Sequence, residues 1–117
     1  MLNNMNKGWR VIYYVSSSGN NPVRDFIDDN VPKQKVKMLR LLFHIEEYGL
    51  QAVIPHIKKL SGTPLWEIRL LGQDSIRILF VTRVGNQVVL LHAFFKKTQK
   101  TPSREIAIAL SRLKEIE

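Results

Sequence analysis

Three apolar segments at hairpin spacing constrain the fold of this 117-residue chain more than any other feature. They cover residues 65–71, 75–84 and 87–95 and are rich in β-branched and other apolar side chains. The separators, Gly72-Gln73-Asp74 and Gly85-Asn86, contain residue types that tight turns favour. The spacing therefore predicts three consecutive strands of an antiparallel sheet.

The N-terminal part predicts one further strand and a helical hairpin. Residues 10–15 are rich in valine, isoleucine and tyrosine, as strands are. Asn21 and Pro22 suit the cap and first position of a short helix, and Pro32 and Gly49 suit the start and end of a longer one. The apolar side chains that we expect to be buried are Val23, Phe26 and Ile27 in the first helix and Val36, Leu39, Leu42 and Phe43 in the second.

The C-terminal part predicts a connector and a final helix. Residues 50–64 are interrupted by proline and glycine and suggest an irregular connector. Thr101 and Pro102 suit the cap and first position of a helix with a regular apolar stripe. The expected order is β-α-α-β-β-β-α, a single α+β domain over residues 1–117 with an antiparallel-rich sheet and its helices on one face.

The net charge of +8, from 18 basic and 10 acidic residues, favours an anionic partner: nucleic acid, a membrane surface or an acidic protein. The longest apolar run, residues 88–95, is much shorter than a membrane-spanning helix. Residues 1–10 are polar and resemble no secretory signal. We therefore expect a cytoplasmic protein without a membrane partner.

The chain offers no metal-binding or thiol chemistry that the sequence reveals. It has no cysteine, which excludes a disulfide framework and thiolate metal sites. His44, His56 and His92 are scattered, and no carboxylate or histidine group has metal-ligand spacing. We expect neither a metal nor another cofactor.

The most basic segment lies between the last strand and the last helix. Lys96, Lys97 and Lys100 fall within five residues, and no acidic residue occurs between Asp74 and Glu105. A solvated surface usually mixes charges of both signs, so this run favours a surface that binds nucleic-acid phosphates.

Two phenylalanines precede these lysines. Either ring can stack on an unpaired base, as in proteins that read single strands. Strand alternation requires at least one of the two rings to lie in the core. Phe94 is our candidate for the residue that contacts RNA.

Strand alternation also sorts the charged residues by face. Glu67 and Arg69 share one face of their strand, and Arg77 can lie beside Arg69 on the next strand. Two neighbouring arginines can hold a phosphate with paired hydrogen bonds. A salt bridge with Glu67 is the alternative, and the sequence leaves both interpretations open.

His92 is the remaining candidate for chemistry. Simple alternation places it on the same face as Val88, Leu90 and Phe94. A lone histidine in an apolar strand is usually a packed residue, but its position close to the lysines favours a functional role. RNA cleavage would suit such residues, because the 2′-OH is the nucleophile, cations stabilise the phosphorane, and a histidine or a lysine of lowered pKa moves protons.

Residues 64–110 resemble the RelE/HigB superfamily, and within it the phage-derived HigB-like branch. The shared pattern is a WEIR strand, an arginine on the next strand, and the segment LLHAFFKKTQKTP before a helix. The upstream strand and helical hairpin follow the same order, so the resemblance implies a RelE-like fold over nearly the whole chain. The tyrosine that the RelE branch carries near its C-terminus has no counterpart here after Tyr48.

The resemblance implies the toxin of a type II toxin–antitoxin system, a ribosome-dependent endoribonuclease that cuts mRNA without a metal. A cognate antitoxin, often a helix-turn-helix protein, would neutralise it, and operator DNA would be bound only through their complex. The positions that match catalytic ones are Arg69, Arg77 and His92. The candidates for RNA binding are Lys58, Lys59, Lys96, Lys97, Lys100 and Phe94, of which Lys58 and Lys59 match by location alone.

Two alternatives to an enzyme stay open from the sequence. The first is a non-catalytic RNA- or ribosome-binding module that uses the same basic face. The second is an interaction protein whose basic surface docks an acidic partner, and such a protein should bind RNA weakly even at low salt.

Overall fold

Five strands form one mixed sheet in the computed structural model, which describes residues 8–70, 72 and 75–117. The strands are β1 (Arg10–Tyr13), β2 (Ile57–Lys59), β3 (Trp66–Leu70), β4 (Ile76–Arg83) and β5 (Gln87–Phe95). Their spatial order is β1-β5-β4-β3-β2. The antiparallel meander predicted from the three apolar segments is confirmed, because β4 pairs antiparallel with both β3 and β5.

Within the described part of the chain, three α-helices accompany the sheet: α1 (Pro22–Asp28), α2 (Pro32–Tyr48) and α3 (Ser103–Ile116). The side chain of Asn21 accepts a hydrogen bond of 3.2 Å from the backbone of Arg24 and caps α1 as predicted. Gly49 ends α2 with a φ of 88°, which a residue with a Cβ rarely adopts. The α+β class is therefore confirmed, and the predicted helical hairpin is present.

The element order contains one strand more than expected. Within the connector, a 3₁₀ segment (Leu50–His56) leads directly into β2, which pairs antiparallel with β3. The expectation of an irregular connector was wrong here because the unpaired backbone edge of β3 can recruit any short extended segment. At the opposite edge β1 pairs in parallel with β5, so the sheet is mixed.

Helices cover both faces of the sheet, and the prediction that all lie on one face was wrong. Helices α1 and α2 pack on the face that carries Ile68, Ile78 and Phe80. Helix α3 packs on the opposite face, against Leu79 and Leu91. Strands β4 and β5 are apolar on both sides, and such strands are stable only when each side is shielded from water.

Helix α2 buries a different stripe from the expected one. Its buried side chains are Met38, Leu41, Leu42 and Ile45. Of the residues that we expected to be buried, only Leu42 is; the exposed fractions of the others are 49% for Val36, 39% for Leu39 and 54% for Phe43. Apolar residues occur around more than one side of this helix, so its periodicity alone does not select the packed side.

Some predicted features fall outside the described residues. Leu71 ends the predicted strand, and Gln73 and Asp74 belong to the predicted turn. Residues 1–7, most of the segment in which we expect no secretory signal, also lie outside. Among the helices that the structure describes, none is long and apolar enough to cross a membrane.

Candidate nucleic-acid interface

The two arginines predicted from strand alternation are direct neighbours in the sheet. Arg69 of β3 lies opposite Arg77 of β4, and Arg77 lies opposite Phe94 of β5. Directly opposed residues project from the same face of a sheet. Glu67, which lies opposite Lys58 of β2, belongs to the adjacent row of the same face. The sheet thus brings together side chains from four strands.

A buried ion pair holds Arg77. Arg77 is 6% exposed and Glu67 is 2% exposed, and Arg77 Nε lies 3.7 Å from Glu67 Oε1. The guanidinium also donates a hydrogen bond of 3.1 Å from NH1 to the carbonyl of Ile76. Burial lowers the pKa of Arg77 from its usual value, against the opposing charge of Glu67. The salt bridge left open by the sequence therefore exists, and it fixes the arginine in place.

Glu67 has a second partner that sequence reasoning assigned elsewhere. The hydroxyl of Thr101 donates a hydrogen bond to Glu67 Oε2. Thr101 was expected to cap α3, but α3 begins at Ser103 and its cap position, Pro102, makes no side-chain hydrogen bond. The threonine cap was wrong because a buried carboxylate requires a donor, whereas the exposed helix end can use water.

Lys96 completes the charge arrangement. Burial lowers its pKa from the usual lysine value, as do the positive charges of Arg77, Arg69 and Lys58, while Glu67 acts in the opposite direction. We call Lys58, Arg69, Arg77 and Lys96 the cationic cluster. Four positive charges surround one buried carboxylate, so the cluster keeps a net positive charge and attracts anions.

The other predicted lysines lie at different positions. Lys59 is opposite Trp66, one residue along from Lys58, so it projects from the other sheet face, where its ammonium donates to the carbonyl of Thr63. Lys58 and Lys59 therefore project from opposite faces of the sheet. Lys97 and Lys100 are exposed in the segment between β5 and α3.

The exposed phenylalanine is Phe95 and not Phe94. Phe94 is 6% exposed and belongs to the apolar cluster under α3, where its ring stacks on His92 with centroids 5.3 Å apart. Phe95 is 44% exposed and its ring centroid lies 4.9 Å from that of Phe26. Phe94 presents little ring surface to a base, so Phe95 replaces it as the candidate stacking residue.

A β-bulge changes the face on which His92 lies. The register between β4 and β5 shifts between Leu79 and Phe80, so that Phe80 pairs with Leu90 and Leu79 pairs with His92. The extra residue in β5 reverses the alternation beyond it. Val88 and Leu90 face α1 and α2, whereas Phe94 faces α3. The expected common face of His92 with Val88 and Leu90 was wrong, and its common face with Phe94 is confirmed.

Both ring nitrogens of His92 are engaged by α3. Nε2 lies 2.6 Å from Glu105 Oε1, and Nδ1 lies 3.3 Å from NH1 of Arg112. Burial lowers the pKa of His92 from its usual value, and the charge of Arg112 acts in the same direction, although the hydrogen bond to Glu105 opposes it. A neutral ring that donates from Nε2 to the ionised Glu105 and accepts at Nδ1 satisfies both partners.

Helix α3 is fastened by polar contacts that the sequence did not reveal. Arg112 donates a hydrogen bond of 2.8 Å to the carbonyl of Leu91 and lies over the ring of Tyr14, 5.3 Å from its centroid. The hydroxyl of Tyr14 donates to Glu115 Oε1 over 2.6 Å. Tyr14 and Glu115 are 101 residues apart in the chain, so no local sequence pattern could have identified this contact.

The fold and the site together define a small α+β protein with a cationic cluster at one end of its sheet. The sequence profile of the phage-derived Gp49-like protein family (DUF891) matches residues 25–114, from within α1 to near the end of α3. The chain therefore belongs to the Gp49-like family. No curated protein matches it.

Proposed function

We propose that this chain is the toxin of a type II toxin–antitoxin system and cleaves mRNA on the ribosome. In this proposal the chain is related to the RelE/HigB superfamily. The observation that carries the proposal is the cationic cluster, in which β2, β3, β4 and the residue after β5 contribute one cation each near Glu67. Membership of the Gp49-like family, which is related to toxin–antitoxin systems, supports it.

The proposed chemistry uses the 2′-OH of RNA as the nucleophile. As the 2′-oxygen attacks the adjacent phosphorus, its proton passes to a basic side chain or to water. The P–O5′ bond breaks to leave a 2′,3′-cyclic phosphate, and the leaving 5′-oxygen takes a proton to become a 5′-OH. Arg69 would hold the scissile phosphate, and the buried Arg77 would add positive charge that stabilises the charge developing on it. Arg77 is the more rigid of the two because Glu67 and the Ile76 carbonyl hold it.

Two groups compete for the proton-transfer role. His92 would have to give up a contact with Glu105 or Arg112 before it could transfer a proton to or from RNA. Burial and the nearby charges of Arg77 and Arg69 lower the pKa of Lys96. A lysine of lowered pKa is a better proton donor than an ordinary lysine. The geometry therefore favours Lys96, with His92 as the candidate that requires α3 to move.

The partners follow from the same proposal. The cationic cluster and the exposed Lys97 and Lys100 would contact the mRNA backbone in the ribosome. A cognate antitoxin, of the helix-turn-helix type in the resemblance described above, would neutralise the chain and carry any contact with operator DNA.

The deciding experiment combines growth and cleavage. Induced expression in a bacterial host should arrest growth, and primer extension on a translated reporter mRNA should show new 5′ ends that require ribosomes. The ends should carry a 5′-OH, which kinase treatment before ligation distinguishes from a 5′-phosphate. Intact mRNA at every induction level, with the chain present in soluble form, would exclude the enzymatic proposal.

Matched variants connect the activity to the cluster. Arg69→Gln should abolish growth arrest, whereas Arg83→Gln removes the same charge from the far end of β4 and should leave it intact. Lys96→Gln and His92→Gln then separate the two proton-transfer candidates. Only the substitution that removes the proton-transferring group should reduce single-turnover cleavage at saturating ribosome concentration, by about 100-fold or more.

A binding module without catalysis is the second candidate, and the contacts of His92 favour it. A histidine with both nitrogens occupied serves to fasten α3 and not to move protons. This candidate predicts RNA or ribosome binding that depends on Arg69 without any cleavage of the bound message.

A further inference from the structure

A cleft adjoins the cationic cluster where α1 and the residues that follow it meet the end of β5. It has a volume of about 470 Å³ and is lined by Phe26, Asp29, Asn30, Val31, Phe95, Lys96 and Lys97. A nucleobase fits within a cleft of this size. Lys96 belongs to both the cleft and the cationic cluster, so a phosphate held by the cluster would lie next to the cleft.

The cleft offers an aromatic platform. Phe95 is 44% exposed, and Phe26 of α1 packs against its ring at an interplanar angle of 48°. A supported but exposed ring at the side of a cationic groove is the arrangement that single-strand binding proteins use to stack a base. Burial would stabilise a large apolar ring, yet Phe95 remains accessible beside Lys96 and Lys97.

Besides its two lysines, the cleft has two side chains that can accept hydrogen bonds, Asp29 and Asn30. Asp29 contributes a carboxylate, and it follows Asp28, which instead pairs with Arg24 and Lys35. Asn30 donates a hydrogen bond of 2.8 Å from Nδ2 to the carbonyl of Phe26. This bond fixes the orientation of the amide, with Oδ1 pointing away from that carbonyl. Guanine presents adjacent N–H donors on its Watson–Crick edge, whereas uracil presents a single N–H between two acceptors.

We propose that this cleft binds an unpaired guanine of RNA, with Phe95 stacking on the base, Asp29 accepting hydrogen bonds from its edge, and Lys96 and Lys97 contacting the flanking phosphates. This inference rests on the proposed function for its RNA ligand and adds a base preference to it. The order expected from the acceptor groups is guanine first, adenine and cytosine next, and uracil last.

The test uses short oligonucleotides that cannot be cleaved. Fluorescence anisotropy with the full chain and 2′-O-methyl six-mers, each with one central guanine, adenine, cytosine or uracil in a uniform abasic-flanked background, measures the preference without any catalysis. Wild-type protein should bind the guanine oligonucleotide about tenfold more tightly than the uracil one. Equal affinity for all four overturns the inference while leaving the proposed cleavage function intact.

Two pairs of variants isolate the cleft. Asp29→Asn and Asp28→Asn raise the net charge equally, so both should strengthen non-specific binding, but only Asp29→Asn should remove the preference for guanine. Phe95→Leu should weaken binding of all four oligonucleotides about tenfold, whereas Phe43→Leu, which alters an exposed ring on α2, should not.

The outcomes separate the two proposals. Loss of guanine preference in both aspartate variants, or in neither, overturns the inference, as does unchanged binding by Phe95→Leu with a native circular dichroism spectrum. Absence of any RNA binding at low salt overturns the inference together with the proposed function. Preserved ribosome-dependent cleavage with no oligonucleotide preference overturns the inference alone.

Discussion

One face of the sheet has two halves that differ in what covers them. In the first half, Leu79, Val81, Val89 and Leu91 are buried under α3. In the second half, β3 carries Arg69, β4 carries Arg77, and the basic segment begins at Lys96, directly after β5. The β-bulge in β5 lies between the two halves, so they differ in strand register as well as in their side chains. The covered half stabilises the fold, and the open half holds charge.

Polar contacts between side chains mark the boundary between the two halves. Glu67 joins Arg77 to Thr101, and Glu105 joins His92 to α3. Each carboxylate belongs to a pair or network, which limits the cost of burying it. The first α3 turn and the segment before it thus tie the cationic cluster to the stable half of the sheet.

The largest effect expected from the comparison is on the stability of the covered half. Leu79 is fully buried in the cluster under α3, so Leu79→Ala should lower the free energy of unfolding by about 3 kcal/mol. Urea denaturation followed by circular dichroism measures this. Thr82→Ala, at an exposed site of the same strand, should change it by less than about 0.5 kcal/mol. Similar losses in the two variants would contradict the contrast.

The second effect concerns the polar boundary. Glu67→Gln leaves the buried Arg77 without its counter-charge and should cost about 2 kcal/mol of unfolding free energy. The double variant Glu67→Gln/Arg77→Met removes both charges and should recover most of that loss. A double variant as unstable as the sum of its single variants would show that the two side chains are not coupled.

The third effect belongs to the open half and should appear in RNA affinity with little change in stability. Lys96→Gln should weaken binding of a single-stranded oligonucleotide several-fold and reduce the slope of log K against log salt by about 0.7. Lys114→Gln makes the same charge change on α3 and serves as the control. An unchanged slope for Lys96→Gln would remove Lys96 from the phosphate-contacting residues.

The smallest effect is a pH dependence at the boundary. Burial sets the pKa of folded His92 below the usual 6.5, so the unfolded chain takes up a proton first as the pH falls. The stability that His92 contributes is therefore complete above pH 6.5 and decreases as the pH falls toward its folded pKa. In urea titrations between pH 7.5 and 5, His92→Gln should lose less stability than wild type, while the exposed His44→Gln should follow wild type. Parallel curves for both variants would contradict this.

The sequence predicted the meander, the hairpin start and the helix end at Gly49 because these depend on local chemistry. Turn residues, a capping asparagine with a following proline, and a glycine of positive φ act over a few residues. The basic composition of the cationic cluster was predictable for the same reason: Arg69, Arg77 and Lys96 lie in strongly patterned segments. The RNA ligand and the catalytic roles of these residues stay predictions.

Sequence periodicity determined which residues share a side of each element, but only the tertiary structure decided which sides meet. Helix α2 packs on Met38 and Ile45 and leaves Phe43 exposed, although either stripe is apolar enough to be buried. One bulge reversed the alternation along β5 and separated His92 from Val88 and Leu90. Whether Phe94 or Phe95 is accessible depended on contacts with α1 and α3. The physical reason is that side-chain direction is a local property, whereas burial depends on every element that packs against it.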